Sequence, residues 1–303
     1  MTEIGIIIIN YNSREELEKC LNSLEQHPPS TSHDIMVLDN GSYDGSEQMV
    51  KTKFNHITFI QSEKNLGFGQ ANNLIAQQLN TKYYLLLNPD TEVFENSIDI
   101  LYKFAKSRPD NGIYGGQTVY ADGSINIASC WNKMTLWSLI CSTTGLSKIF
   151  AKSEFFNPEK IGDWKRDSVR EIDIVVGCFM LIEAALWDKL RGFNPKYWLY
   201  GEESDLCLRA KKISAQPIIT PEAVIMHSIG ASSSDQSQRK ILVLKSKITL
   251  IKDHWPKYQQ KLGIGLMVLE SYLRHLKCKV QNCPDNLWTR VWNSKNKWID
   301  GYE

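Results

Sequence analysis

The chain has 303 residues, 42% of them hydrophobic, enough for one large core or two smaller ones. Its 35 Lys and Arg balance 34 Asp and Glu, so overall charge neither favours nor excludes a polyanionic partner. Seven cysteines, an odd count without a Cys-x-x-Cys pair, do not suit a disulfide framework and fit reduced thiols in a cytosolic compartment. No basic leader precedes "IGIIII", so no signal peptide is expected. The longest apolar run, Ile174 to Ile182, is far short of the ~18 residues that begin to suggest a membrane-spanning helix.

In chain order, Ile4–Ile9 is a continuous, β-branched run, as expected of a strand buried on both faces. "SREELEKCLNSL" follows, with Ser13 and Glu16 spaced as a capping box and Leu17, Cys20, Leu21 and Leu24 on one helical face. Strands are predicted at Ile35–Leu38, Ile57–Ile60 and Tyr84–Leu87, and helices after Asp44, over 69–79 and over 96–106. Repeated β-α units predict an α/β fold: a Rossmann-like, mostly parallel sheet with helices on both faces, binding ligands beyond the carboxyl ends of its strands. Those ends carry Asn10-Tyr11-Asn12, then "LDNGSYDGS" with Asp39, Asn40 and Asp44, then "SEKNLGFGQANN", then "NPD". All four are rich in Asn, Asp and Gly, as loops that bind polar ligands are. Residues 121–170 lose the β-α rhythm and read as an insertion or lid. Strand signals return at Ile172–Val176 and Cys178–Ile182. "NPKYWLYGEESDLCLRAKK" leads into a helix, and a short strand pair is predicted over Pro217–Met226. From Arg239 to Lys261, seven Lys/Arg and one acid, Asp253, accompany an apolar face of Ile241, Leu244, Ile248, Ile251 and Trp255, which predicts one basic helix.

A dinucleotide-binding dehydrogenase needs a glycine-rich turn directly after the first strand. Here that strand ends in "NYNS", and Gly67-Phe68-Gly69 follows the third strand without a third glycine. Asp39, ending the second strand, suits a ribose or base contact. A nucleotide site without a glycine loop still has to neutralise a diphosphate, and a hard divalent cation held by a carboxylate such as Asp90 does so.

The strings "IIIINYNSREELEKCLNSL", "VLDNGSYDGS", "NLGFGQANN", "LLLNPDTEV", "GCFMLIEAALWDKLRGFNPKYWLYGEESDLCLR" and "PEAVIMHSIGAS", in this order over about residues 4 to 235, resemble the family 2 glycosyltransferases of the GT-A fold, particularly their bacterial rhamnosyltransferase-like branch. The resemblance implies an inverting glycosyltransferase in bacterial surface polysaccharide synthesis. Its donor would be a nucleoside-diphosphate sugar, dTDP-rhamnose first and a UDP-hexose second, and its acceptor a saccharide or a lipid-linked one. It implies nucleotide contacts from Asn10, Tyr11, Asn12, Asp39, Asn40, Asn65, Gly67, Asn73 and Asn88, and a Mg2+ or Mn2+ site at Asp90 and His227. Catalysis falls to Glu203 as base, with Glu202 and Asp205, and acceptor contacts to Gly177, Trp198 and Tyr200. Two positions depart from the family: Asn88 where the wider family has Asp, and Glu203 where the branch usually has Asp. A same-fold protein that binds nucleotide sugars without turnover, and a nucleotidyltransferase or dehydrogenase on a similar sheet, stand as alternatives.

Against these readings stand plainer ones. The three acids suit any solvated helix N-terminus, where the dipole favours carboxylates. His227 is followed by "SIGASSS", a loop suited to phosphate oxygens. The basic segment 239–261, with Trp288, Trp292 and Trp298 further on, reads equally as an ordinary surface helix or as a peripheral dock on the anionic inner leaflet of a cell membrane. No nucleic-acid-binding motif appears. The expected organisation is a glycosyltransferase domain over 1–235 (nucleotide half 1–120, insertion 121–170, acceptor half 171–235) and a basic helical extension over 236–303.

Overall fold

The structure, a computed structural model, describes residues 1–228, 235–281 and 286–303. Residues 229–234, most of the Gly/Ser loop after His227, and Cys283 lie outside the described residues. The chain forms two compact units. The first comprises Met1–Trp131, Lys165–Trp198 and the segment beginning at Glu202 and running through the last strand. The second comprises Asn132–Trp164, Leu199–Gly201 and the C-terminal helices.

The first unit begins with β1 (Thr2–Asn10), α1 (Arg14–Gln26), β2 (His33–Asp39), α2 (Ser46–Lys53), β3 (Thr58–Gln61), α3 (Phe68–Ala76), β4 (Thr81–Leu87), β5 (Thr91–Val93), α4 (Ser97–Ser107) and β6 (Ile113–Val119). β1 is buried on both faces, as its unbroken apolar run predicts: Ile4, Ile6 and Ile8 pack with Leu17, Leu21 and Leu24 of α1, while Ile7 and Ile9 are buried on the other side. The expected capping box at Ser13 does not form; Ser13 Oγ donates instead to the Tyr11 carbonyl at 3.2 Å. The turn that presents Asn10 and Asn12 takes the hydroxyl that would have capped α1.

After the two-residue strands β7 (Ile125–Asn126) and β8 (Cys130–Trp131), the second unit opens with helices α5 (Leu136–Thr144) and α6 (Leu146–Ile149). The chain then returns to the first unit through β9 (Arg170–Glu171), β10 (Ile174–Val175), β11 (Phe179–Glu183), α7 (Ala184–Leu190), α8 (Glu202–Lys211) and β12 (Ile218–His227). The main sheet runs β3-β2-β1-β4-β11-β6-β12-β5. β3, β2, β1 and β4 are mutually parallel, β11 is antiparallel to both β4 and β6, and β12 is parallel to β6. The strand pair expected over Pro217–Met226 is one ten-residue strand, β12. Its register against β6 shifts between Ile219 and Val224, and Pro221 sits in that irregular stretch, where no ladder hydrogen bond is asked of it.

The second unit ends in α9 (Gln236–His254), α10 (Lys257–Val280) and α11 (Leu287–Asn293). The single basic helix expected over 239–261 is thus two. Pro256 pushes Trp255 into extended backbone (φ −93°, ψ 151°), which ends α9 and starts α10. Ile241, Leu244, Ile248 and Ile251 form the predicted apolar face, and with Leu139, Met267, Val291 and Trp298 they make this unit's own core.

Candidate active site

At the carboxyl ends of β1 and β2, Asn10 and Asp39 are register partners, and Asn10 Nδ2 donates to Asp39 Oδ1 at 2.6 Å. Asp39 also accepts from Ser42 Oγ (2.6 Å), Ser42 N (2.8 Å) and Gln61 Nε2 (2.8 Å). A carboxylate has about four lone-pair sites, so this one, 1% exposed, is saturated by the protein. Asn10 Nδ2 reaches Ser46 Oγ as well, at 2.9 Å, whereas its Oδ1 is buried without a partner. Asn12, in the left-handed region at φ 48°, accepts from Tyr43 N through its side chain. Tyr11 projects to solvent.

Asn40 and Asn65 bind one another. Asn40 Nδ2 donates to Asn65 Oδ1 at 3.0 Å, Asn40 Oδ1 accepts from Leu66 N, and Asn65 Oδ1 accepts from Gly67 N. Gly67 has φ +79°, and a Cβ there would lie 2.2 Å from the Trp198 carbonyl oxygen, so only glycine admits this approach. Phe68 N donates to that same carbonyl at 3.2 Å, and the Phe68 ring covers Gly177. Asn73 exchanges two hydrogen bonds with the Phe193 backbone, at 2.8 and 2.9 Å, tying α3 to the segment that leads into α8.

At the other part of the edge, β5 and β12 pair antiparallel with Thr91 opposite His227, which brings His227 Nε2 to 3.3 Å from Asp90 Oδ1. Ser228 N donates to the Asp90 carbonyl, and Asn88 N to the Cys178 carbonyl. Burial works against an imidazolium at His227, yet Cys178 and the Asp90 carboxylate beside it raise its pKa to about 10. No three His, Cys, Asp or Glu converge as ligands among the described residues. A divalent cation there would have to displace the imidazolium proton; Asp90 and the freed His227 nitrogen could then hold it, with its remaining ligands from diphosphate and water.

The acids of α8 separate by environment. Glu202 is 3% exposed, and its Oε2 has no hydrogen-bond partner. Burial, then the neighbouring Glu203 charge, pushes its pKa well above the usual carboxylate range. Glu203 is half-buried and is also raised by burial. Asp205 is paired with Arg209 Nε at 2.7 Å, and the Arg209 guanidinium donates onward to the Leu190 and Gly192 carbonyls. Tyr200 and Gly201, at φ +67° and +87°, form the turn into the helix.

The two acidic groups are joined through packed neighbours. Cys178, beside His227, follows Gly177, which lies under Phe68; a Cβ on the adjoining Gly69 would stand 3.6 Å from Glu202 Cβ. Ser42, Gln61, Cys178 and Arg209 are parts of this edge that the sequence reading missed. Only Ser42 was signalled, through the Gly-Ser of "DNGS"; the others depend on contacts between distant segments.

Residues 5–187 match the profile of the glycosyl transferase family 2. Over 245 residues the chain is 25% identical to the N-acetylglucosaminyl-diphospho-decaprenol L-rhamnosyltransferase of Mycobacterium tuberculosis, covering 75% of this chain and 76% of that protein. Among solved structures it is similar to the mannosyltransferase PcManGT of Pyrobaculum calidifontis in complex with GDP-Man and Mn2+ (TM-score 0.61, 13% identity, 98% of this chain and 87% of that one). It is also similar to GalNAc-T7 with UDP, GalNAc and Mn2+ (TM-score 0.60, 14% identity), covering 86% of this chain and 49% of that longer one. The strand order, the edge that gathers the polar loops and the profile match agree: the chain has the GT-A fold and belongs to glycosyl transferase family 2.

Proposed function

We propose that this chain is an inverting glycosyltransferase that moves L-rhamnose from dTDP-rhamnose to a saccharide or lipid-linked acceptor in bacterial surface polysaccharide synthesis. The observation that carries the reading is the joining of two unlike acid sites on one sheet edge. The Asp90–His227 pair is suited to a diphosphate, and the Glu202–Glu203 pair has its pKa raised by burial. The choice of rhamnose rests on the similarity to the mycobacterial rhamnosyltransferase.

In this reading the loops of Asn10, Asp39, Asn40 and Asn65 shape the nucleoside end, with Tyr11, Asn12, Gly67 and Asn73 placing those loops. Asp90 and His227 would hold Mg2+ or Mn2+ against the diphosphate, with Asn88 beside them. Such a cation, when bound, supplies Lewis-acid stabilisation of the leaving group. Glu203, the half-buried acid, takes the proton from an acceptor hydroxyl. The hydroxyl oxygen then forms its bond to the anomeric carbon from the face opposite the diphosphate. The carbon–oxygen bond to the diphosphate breaks, and its electron pair leaves with the phosphate oxygen. A raised pKa makes Glu203 a stronger base than an exposed carboxylate. Glu202, more deeply buried, keeps its proton to higher pH and spares the site a second negative charge. Trp198 and Gly177 would border the acceptor. Asp205, held by Arg209, positions the helix.

A thermal-shift panel of nucleotide sugars with and without Mn2+ tests the proposal, followed by assay of nucleotide release. A ligand at 100 times its Kd stabilises by about 2.7 kcal/mol, enough to rank donors. dTDP-rhamnose should give the largest shift and should require the cation. A larger shift with a UDP-hexose would replace the donor, and a shift without any turnover would make the chain a binding protein.

A further inference from the structure

The lysines on which a membrane reading of 239–261 would rest are largely engaged inside the second unit. Lys247 pairs with Glu159 at 2.7 Å, Lys240 and Lys245 lie over the rings of Trp288 and Tyr302, and Lys252 donates to the Asp300 carbonyl. Trp298 is fully buried. The unclaimed surface is on α10. Its Gly263, Met267, Ser271, His275 and Cys278 are buried. On the opposite face stand Tyr258 (81% exposed), Leu262 (54%), Leu269, Leu273 and Leu276 (38% to 45%) and Val280 (84%). At ~100° per residue these six share one stripe, about 35 Å long at 1.5 Å per residue. Lys261 and Lys279 lie ~80° to one side of it and Lys277 ~80° to the other, and Lys257 extends the first side; all four are exposed. The helix has a single acid, Glu270, which is held by Arg274 and Ser142. No described helix is long and apolar enough to cross a membrane.

We propose that α10 lies in the plane of an anionic membrane interface, its apolar stripe in the acyl boundary and its lysines on acidic headgroups. Charge selects this occupant over a second copy of the chain. Two α10 stripes packed together would set eight lysines against one another with no free acid between them, whereas an anionic leaflet supplies the missing charge. The inference rests on the proposed function only in that a lipid-linked acceptor would be presented at such a surface.

Co-sedimentation of the full chain with vesicles tests it, comparing phosphatidylcholine alone with phosphatidylcholine plus phosphatidylglycerol. The chain should bind the mixed vesicles and release as salt rises. Leu269→Glu with Leu276→Glu should weaken that binding roughly tenfold or more, with the thermal shift by nucleotide sugars unchanged. Should that variant fold poorly, Lys261→Glu with Lys279→Glu, at exposed positions, should lose the preference for phosphatidylglycerol. Equal sedimentation of wild type and a folded variant, or none of the wild type, overturns the proposal. So does a dimer by light scattering that the leucine variant dissolves, since the stripe would then belong to a second copy. Vesicle binding without any nucleotide-sugar shift would uphold the membrane face and remove the proposed function.

Discussion

Two regions of one sheet edge treat their carboxylates in opposite ways. At the end of β2, Asp39 is buried and accepts four hydrogen bonds from Asn10, Ser42 and Gln61. At the start of α8, Glu202 is buried almost as deeply and leaves an oxygen without any partner. A saturated carboxylate fixes geometry at little cost. An unsatisfied one carries a desolvation penalty of about 1–3 kcal/mol or more, which persists where something other than stability benefits. In the proposed function the first region is scaffold for a ligand and the second performs the chemistry.

The sharpest way to break this contrast is Glu203→Gln. If the α8 acids are the chemical end, kcat falls by about 10²–10⁴-fold while donor affinity and fold persist. In the wild type, the acid limb of kcat against pH should lie above 4.5, because burial raises Glu203, and Glu203→Gln should lack it. Glu203→Asp should retain substantial activity. Greater loss in Asp205→Asn, despite its pairing with Arg209, would move the base two residues along.

Asp90→Asn comes next. Removing the carboxylate that faces His227 should cost about 10²-fold in turnover and abolish the Mn2+ dependence of nucleotide binding. Near-normal turnover with the same metal requirement would place the cation elsewhere.

Asp39→Ala tests the scaffold side. Four donors lose one acceptor, so stability should drop by about 2–4 kcal/mol, visible as a lower Tm, and KM for the donor should rise with little change in kcat. A collapsed kcat at unchanged KM would erase the distinction between the two regions.

The last effect concerns pH and His227. Its folded pKa, about 10, exceeds the unfolded value of 6.5, so its interactions with Cys178 and Asp90 contribute fully below about pH 6.5 and are lost as pH rises through 10. Wild type should therefore lose several degrees of Tm across this window relative to His227→Gln, on the order of a few kcal/mol. Parallel Tm curves for the two proteins would show that these interactions do not form.

Much of this molecule was legible in its sequence. The unbroken apolar runs at Ile4–Ile9 and Tyr84–Leu87 fall within β1 and β4, because a strand buried on both faces has no polar face to show. The period of Leu17, Cys20, Leu21 and Leu24 gave a helix with that face buried. Local chemistry misled where one residue had two partners to choose from. Ser13 turned to Tyr11 rather than capping its helix, and Pro256 ended at Trp255 a helix read as running on to Lys261.

By itself the sequence determined the β-α order, the polar loops at the strand ends and the family, since these follow from periodicity and from contiguous strings. Tertiary structure alone decided which charges are spent and which remain. Asp39 ends β2 and Glu202 opens α8, both acids at the ends of elements, and the first is saturated only when Gln61, 22 residues away, and Asn10, 29 residues away, join the neighbouring Ser42. Asp90 and His227 stand together because two strands pair antiparallel, and the lysines of α9 are engaged within their unit while α10 keeps its own exposed. Hydrogen bonds and ion pairs act over about 3 Å, and the chain brings such groups within reach only once it has folded.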